Sequence, residues 1–130
     1  MTQTIIDHLV FGAAELDKAT KQIQSFIKAE FLAGGKHPLM ATHNRLIKLQ
    51  HSLYMEIIAA DPSASLPKNP TRKNRWFSLD SNTTQKRLSR APQPLCWVVA
   101  VNDIEKASMH CGYNPGRIIA MTRGNFSWKI

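Results

Sequence analysis

Cysteine is scarce in this chain, with only Cys96 and Cys111 among 130 residues. Two cysteines cannot build a disulfide framework, and these two lack zinc-finger spacing. Long apolar runs are also missing. No stretch approaches the roughly 20 residues that cross a bilayer. The start, Met1-Thr-Gln-Thr-Ile-Ile-Asp-His8, has no basic segment leading into a long apolar one, so it does not read as a signal peptide. A cytoplasmic protein is expected. There is no Gly-x-Ser-x-Gly, no Walker loop and no dinucleotide fingerprint, since Phe11-Gly-Ala-Ala14 holds a single glycine. Acidic side chains are few, 9 against 17 basic, for a net charge of +8. Apolar residues make up 43% of the chain, enough for a buried core and against wholesale disorder.

The basic excess is local. Residues 68–90 hold Lys68, Arg72, Lys73, Arg75, Lys86, Arg87 and Arg90 against Asp80 alone. Such a stretch attracts anions or nucleic acid. No helix-turn-helix, zinc finger or RNA-recognition signature accompanies it, so a solvated basic linker is the expected reading and a nucleic-acid partner is not.

What the chain does have is a near-repeat. Residues 6–19, IDHLVFGAAELDKA, run parallel to residues 94–107, PLCWVVAVNDIEKA. His8 meets Cys96, Val10 meets Val98, Leu16 meets Ile104 and Ala19 meets Ala107. Further on, Asn44–Leu49 meets Asn125–Ile130 at an offset of 81 (125 minus 44). The first copy continues into LYMEIIAA, which carries Glu56. At that offset the counterpart of Glu56 would be position 137, past Ile130. Two copies at so long a period suggest two related modules that pair around a site. On this reading, 1–62 is the first module, 63–94 a basic connection and 95–130 a second, incomplete module.

Alternation predicts a strand over Ile5–Phe11, with Ile6, His8 and Val10 on one face. Helical spacing of Leu16, Ala19, Ile23, Phe26 and Ile27 predicts a helix over Glu15–Phe31, with Glu15 and Asp17 in the favourable first turn. Gly34-Gly35 should end that unit, and 35–44 should be loop. Arg45–Leu49 and Leu53–Ala60 read as a hairpin. In the connection, Arg75–Asp80 is expected to form a helical turn docked through Trp76 and Phe77. Leu95–Val101, a helix over Asp103–Cys111, and strands Arg117–Met121 and Phe126–Ile130 complete a βαββ order. The fold class is therefore α+β, paired βαβββ modules with the second incomplete.

Glu56 is the residue most in need of explanation. A carboxylate in an apolar strand is costly unless it is paired, bound to metal or facing water. Arg45 is the plain structural partner. His8, also among apolar residues, is either a hydrogen-bonded core histidine or a ligand. Should the first and last strands of the module lie side by side, the two would share a sheet face, and imidazole with carboxylate suits a divalent metal. Cys96, at the repeat position of His8, could add a thiolate, although a small buried cysteine is the simpler reading. His37 and Asn44 are expected to line a pocket mouth, against a plain role in turns.

Ile6-Asp-His-Leu-Val10, Glu15–Ala19, Gly34-Gly-Lys-His-Pro38, Thr42-His-Asn44 and Tyr54–Ala59 together resemble the glyoxalase-like subfamily of the vicinal oxygen chelate superfamily. Arg75-Trp-Phe77 and Trp97 fit as well. The resemblance implies a cupped sheet around a divalent ion (Zn, Ni, Mn or Fe) that chelates adjacent oxygens of a small substrate. First-module ligands would map to His8 and Glu56. Cys96 departs from the pattern, and the last strand of the second module is absent.

Two functional readings follow. One is a metal-dependent lyase or isomerase in which Glu56 is ligand and proton carrier, with the site completed across a homodimer. The other is a binding module without catalysis, or a shortened remnant of a longer enzyme, whose cup of Tyr54, Trp76, Phe77 and Trp97 holds an apolar small molecule.

Overall fold

The computed structural model describes residues 3–68 and 74–130; Arg72 and Lys73 of the basic segment lie outside the described residues. The elements are β1 (Thr4–Gly12), α1 (Leu16–Ile27), β2 (Leu32–His37), β3 (Thr42–Gln50), β4 (Leu53–Ala60), α2 (Asn82–Leu88), β5 (Gln93–Val101), α3 (Ile104–His110), β6 (Ala120–Arg123) and β7 (Phe126–Lys129), with short 3₁₀ turns at Pro38–Met40 and Trp76–Ser78. The fold is α+β. A β-α-β-β-β order is followed by a β-α-β-β order. No helix among the described residues is long and apolar enough to cross a membrane.

The chain divides into two compact units. The larger, Asp7–Val98, is organised by a sheet of strand order β2-β3-β4-β1-β5. β1 and β4 run parallel, pairing His8 with Tyr54, Val10 with Glu56 and Gly12 with Ile58. β4 is apolar at successive positions because both of its faces are covered. Ile57 and Ala59 meet Leu16 and Ala19 of α1, with Phe11, Ile23 and Phe31 around them. Val10 and Ile58 face the other way, onto Leu79, Leu88, Trp76, Phe77, Leu95 and Val98. Ile57 and Ile58 are fully buried, and each such side chain stabilises the fold by roughly 1.5–3 kcal/mol.

Three expectations need correction. The helix stops at Ile27, where Lys28 turns left-handed (φ 48°), so Phe31 lies outside it, and Phe26 is exposed. Gly34-Gly35 does not break the chain; it sits inside β2 at an irregularity in the pairing with β3 between Ala33 and Lys36. β3 accordingly starts at Thr42 rather than Arg45. Helix α2 was not expected at all. Its only apolar residue is Leu88, but Ser81 caps it by accepting from the Thr84 N–H at 3.1 Å.

The smaller unit comprises the residues up to Ile6 and Val99–Ile130. There Asp103 caps α3, accepting from the Lys106 N–H at 2.9 Å. Arg123 pairs with Phe126 across the two-residue β6–β7 turn, and Gly124 supplies the positive φ (57°) at its first position. Lys129 ion-pairs with Glu105.

Candidate functional site

The parallel pairing of β1 with β4 brings His8 and Glu56 to one face of the sheet. Residues two apart on a strand share a face, so His8 and Val10 of β1 lie beside Tyr54 and Glu56 of β4. Glu56 is 5% exposed. Arg45 is not its partner; it points to the helix side and bonds Asp17 at 3.0 Å. Instead Glu56 Oε1 accepts from Asn44 Nδ2 at 2.7 Å. Glu56 Oε2 lies 3.5 Å from His8 Nε2, long for a hydrogen bond and within ion-pair range. The second nitrogen of His8, Nδ1, meets Asp7 Oδ2 at 2.7 Å. The ring stacks on Tyr54, with centroids 4.5 Å apart.

This arrangement determines where protons sit. Both oxygens facing the imidazole belong to carboxylates, which accept and do not donate. An imidazole between two carboxylates is most stable with both nitrogens protonated. Burial opposes the charge on His8, but the hydrogen bonds and charges of Glu56 and Asp7 outweigh it and raise the pKa above the ordinary 6.5.

His37 and Asn44 are buried, 6% and 3% exposed; His37 forms part of the wall of an open cleft, and Asn44 does not line it. His37 Nδ1 contacts Thr42 Oγ1 at 3.0 Å, and its Nε2 lies 3.4 Å from Asn44 Nδ2. Trp76 packs edge-on against His37, with centroids 5.0 Å apart. The turn carrying Trp76 is held by Arg75, which bonds Asp80 at 2.7 Å through Nη1 and the Ala41 carbonyl at 3.0 Å through Nε. This clamp supports a costly backbone, because Phe77 and Ser78 are both left-handed. The indole N–H of Trp76 is buried without a partner among the described residues. Trp97 is 69% exposed. Alternation along β5 puts it on the face opposite Cys96.

The two donors His8 Nε2 and Glu56 Oε2 suit a divalent ion in spacing. Ligand bonds of about 2.0–2.1 Å at tetrahedral angles put donors roughly 3.3–3.4 Å apart, close to the observed 3.5 Å. A third donor does not join them. Among the described residues no three His, Cys, Asp or Glu side chains gather as a metal site. Cys96 is exposed as a residue, but partial burial of its thiol, and then the Glu56 charge, push that thiol above the ordinary 9.0, the wrong direction for a ready thiolate. The donor set of the described residues is two, short of the three or four a metal requires.

An open cleft of about 250 Å³ lies nearby, lined by Lys36, His37, Pro38, Thr42, Asp61, Ser63 and Ala64. Its polar wall is internally matched. Lys36 Nζ reaches Asp61 at 2.9 Å and Ser63 Oγ at 2.7 Å, and Ser63 donates to Asp61 at 2.6 Å. These bonds hold the Asp61 carboxyl well below the usual carboxylate range.

The family profile described as a glyoxalase-like domain matches residues 6–130. No curated protein matches the chain. A crystal structure of methylmalonyl-CoA epimerase is similar at a TM-score of 0.49 and 19% identity, over 80% of this chain and 66% of that one.

Proposed function

Since the chain belongs to the glyoxalase-like domain family, we propose that it is a lyase or isomerase that moves a proton next to a carbonyl in a small molecule, with Glu56 as the proton carrier. One observation supports this above the rest. A carboxylate sits on an apolar sheet face with one oxygen anchored by Asn44 and the other turned to an imidazole. A carboxylate anchored in this way, with one oxygen left toward the site, is placed to act as a general base. Glu56 Oε2 takes the proton, the C–H electron pair moves onto the carbonyl oxygen, and the protonated His8 Nε2–H donates to the enolate oxygen that forms. The hydroxyl on the carbon that lost its C–H then gives its proton to the former carbonyl oxygen as its own C–O bond becomes double, and the C=C pair takes the proton from Oε2 onto the former carbonyl carbon, which gives the isomer. Asp7 keeps the imidazole in register throughout through its bond to Nδ1.

The test is deuterium wash-in followed by NMR on thiol adducts of 2-oxoaldehydes and on other 2-oxo compounds. Wild-type protein should exchange the proton beside the carbonyl, and Glu56→Gln should not. Equal exchange in the two proteins, or none above buffer in either, removes the reading.

A binding role without catalysis is favoured by a different observation, the Trp76 N–H that has no partner among the described residues, in a ring packed with Phe77 against the Val10 and Ile58 cluster. A ligand oxygen reaching that N–H would satisfy it. Quenching of Trp76 fluorescence by an aromatic carbonyl compound, equal in wild type and Glu56→Gln and without proton exchange, would support this role instead.

A further inference from the structure

We infer that Asn44, clamped by the Gly34-Gly35 irregularity of β2, is the positioning residue that reserves Oε2 of Glu56 for proton transfer. The inference rests on the reading of Glu56 as a proton carrier. The side-chain amide of an asparagine is ordinarily ambiguous by 180°. Here it is not. The Gly35 backbone N–H can only donate, and it meets the Asn44 side chain at 2.7 Å, so the atom there is the carbonyl Oδ1. The other end of the amide is therefore the NH2. One of its hydrogens goes to Glu56 Oε1 at 2.7 Å, and the second faces His37 Nε2 at 3.4 Å. His37 Nε2 then serves as the acceptor, and the ring proton sits on Nδ1, donated to Thr42 Oγ1 at 3.0 Å.

The consequence falls on Glu56. Its Oε1 already receives an N–H from a fully committed donor. A carboxyl proton placed there would oppose that N–H at 2.7 Å, whereas Oε2 is 3.5 Å from His8 Nε2, too far for a full hydrogen bond to hold it, so the proton goes to Oε2. The glycines explain why this partner cannot drift. A Cβ on Gly34 would lie 1.9 Å from the Asn44 carbonyl oxygen and 2.3 Å from its Oδ1. Only glycine lets β2 come this close to β3, and the close approach aims the Gly35 N–H. Gly34, Gly35, His37, Thr42 and Asn44 thus form one device that orients a carboxylate they do not chemically replace.

The experiment is NMR on side-chain-labelled protein together with a crystal structure of Asn44→Leu. In wild type one Asn44 amide proton should lie far downfield. In the near-isosteric Glu56→Gln variant it should move upfield and exchange with water about fivefold faster or more, since a charged acceptor has become neutral. Burial alone would leave that proton unmoved by Glu56→Gln, and this result overturns the inference. In Asn44→Leu the Glu56 carboxylate should swing away from its 3.5 Å approach to His8, and wash-in should fall in kcat with KM unchanged. A carboxylate that stays in place in that variant also overturns it. Should Asn44→Leu fail to fold, the wild-type and Glu56→Gln spectra decide. An Asn44 signal that responds to Glu56→Gln, in a protein that exchanges no substrate proton, keeps the positioning role and removes only the catalytic reading.

Discussion

Glu56→Gln and Glu56→Ala should part company in stability, and the size of the gap follows from three contacts. Alanine removes the acceptor of the Asn44 amide at 2.7 Å. A buried donor left unmade costs about 1–3 kcal/mol, and the lost Cγ methylene adds about 0.8 kcal/mol. The sum is roughly 2–4 kcal/mol. Glutamine keeps an oxygen toward Asn44 and turns an NH2 toward His8 Nε2. That nitrogen accepts once the imidazole is neutral, with its remaining proton on Nδ1 toward Asp7. Exchanging a charge-assisted bond for a neutral one costs about 1 kcal/mol, and relief from burying a charge offsets part of it. Urea unfolding at neutral pH measures both. With a slope of about 1–3 kcal/mol/M, alanine should lower the midpoint by on the order of 1–2 M and glutamine by under about 0.5 M. Equal losses in the two variants would mean that the charge itself, not the hydrogen-bond pattern, holds this face. No loss in alanine would mean that the network does not form.

Three further outcomes are expected. Ile57→Ala, at a fully buried position under α1, should cost about 2–5 kcal/mol with an unchanged denaturant slope. His8 has a folded-state pKa raised above 6.5, so its contribution to stability is fully present below that pH and is lost as pH rises through the folded-state value; the stability gap between wild type and His8→Gln should shrink over that rise, and a gap that widens would refute the pairing. Burial, then the Glu56 charge, raises the Cys96 thiol above 9.0, so iodoacetamide should label it slowly near pH 8, and faster in Glu56→Gln, as read by peptide mass spectrometry.

Strands whose side chains bury at every position or alternate cleanly were legible before any coordinates. LYMEIIAA reads as an apolar strand from its sequence, and the motifs at 6–19, 34–38, 42–44 and 54–59 together carried the family resemblance that the profile match at 6–130 bears out. The features that escaped were those set by contacts distant in sequence. Gly34-Gly35 looks like a stop because glycine is common in turns; in the fold it is there because Asn44 stands against it. Helix α2 carries no apolar stripe, so periodicity has nothing to detect. Its remaining signal was the Ser81 cap.

The candidate site divides along the same line. His8 and Glu56 stand out in sequence because polar groups in apolar strands demand an explanation, and parallel pairing is enough to set them on one face. What binds Glu56 was not legible. Arg45 and Asn44 are adjacent in sequence, and a strand's alternation sends one to each face. Which of them faces Glu56 depends on the β3–β4 register, which pairs Leu46 with Glu56 and Asn44 with Ile58. A one-residue slip would put the Arg45 cation on the side of Glu56 and turn Asn44 toward α1. The carboxylate would then face a guanidinium fork in place of a neutral amide. The actual register gives Glu56 a neutral amide on one oxygen and, among the described residues, the His8 imidazole 3.5 Å from the other, so the chemistry open to this carboxylate is decided by strand pairing, one level above the residues themselves.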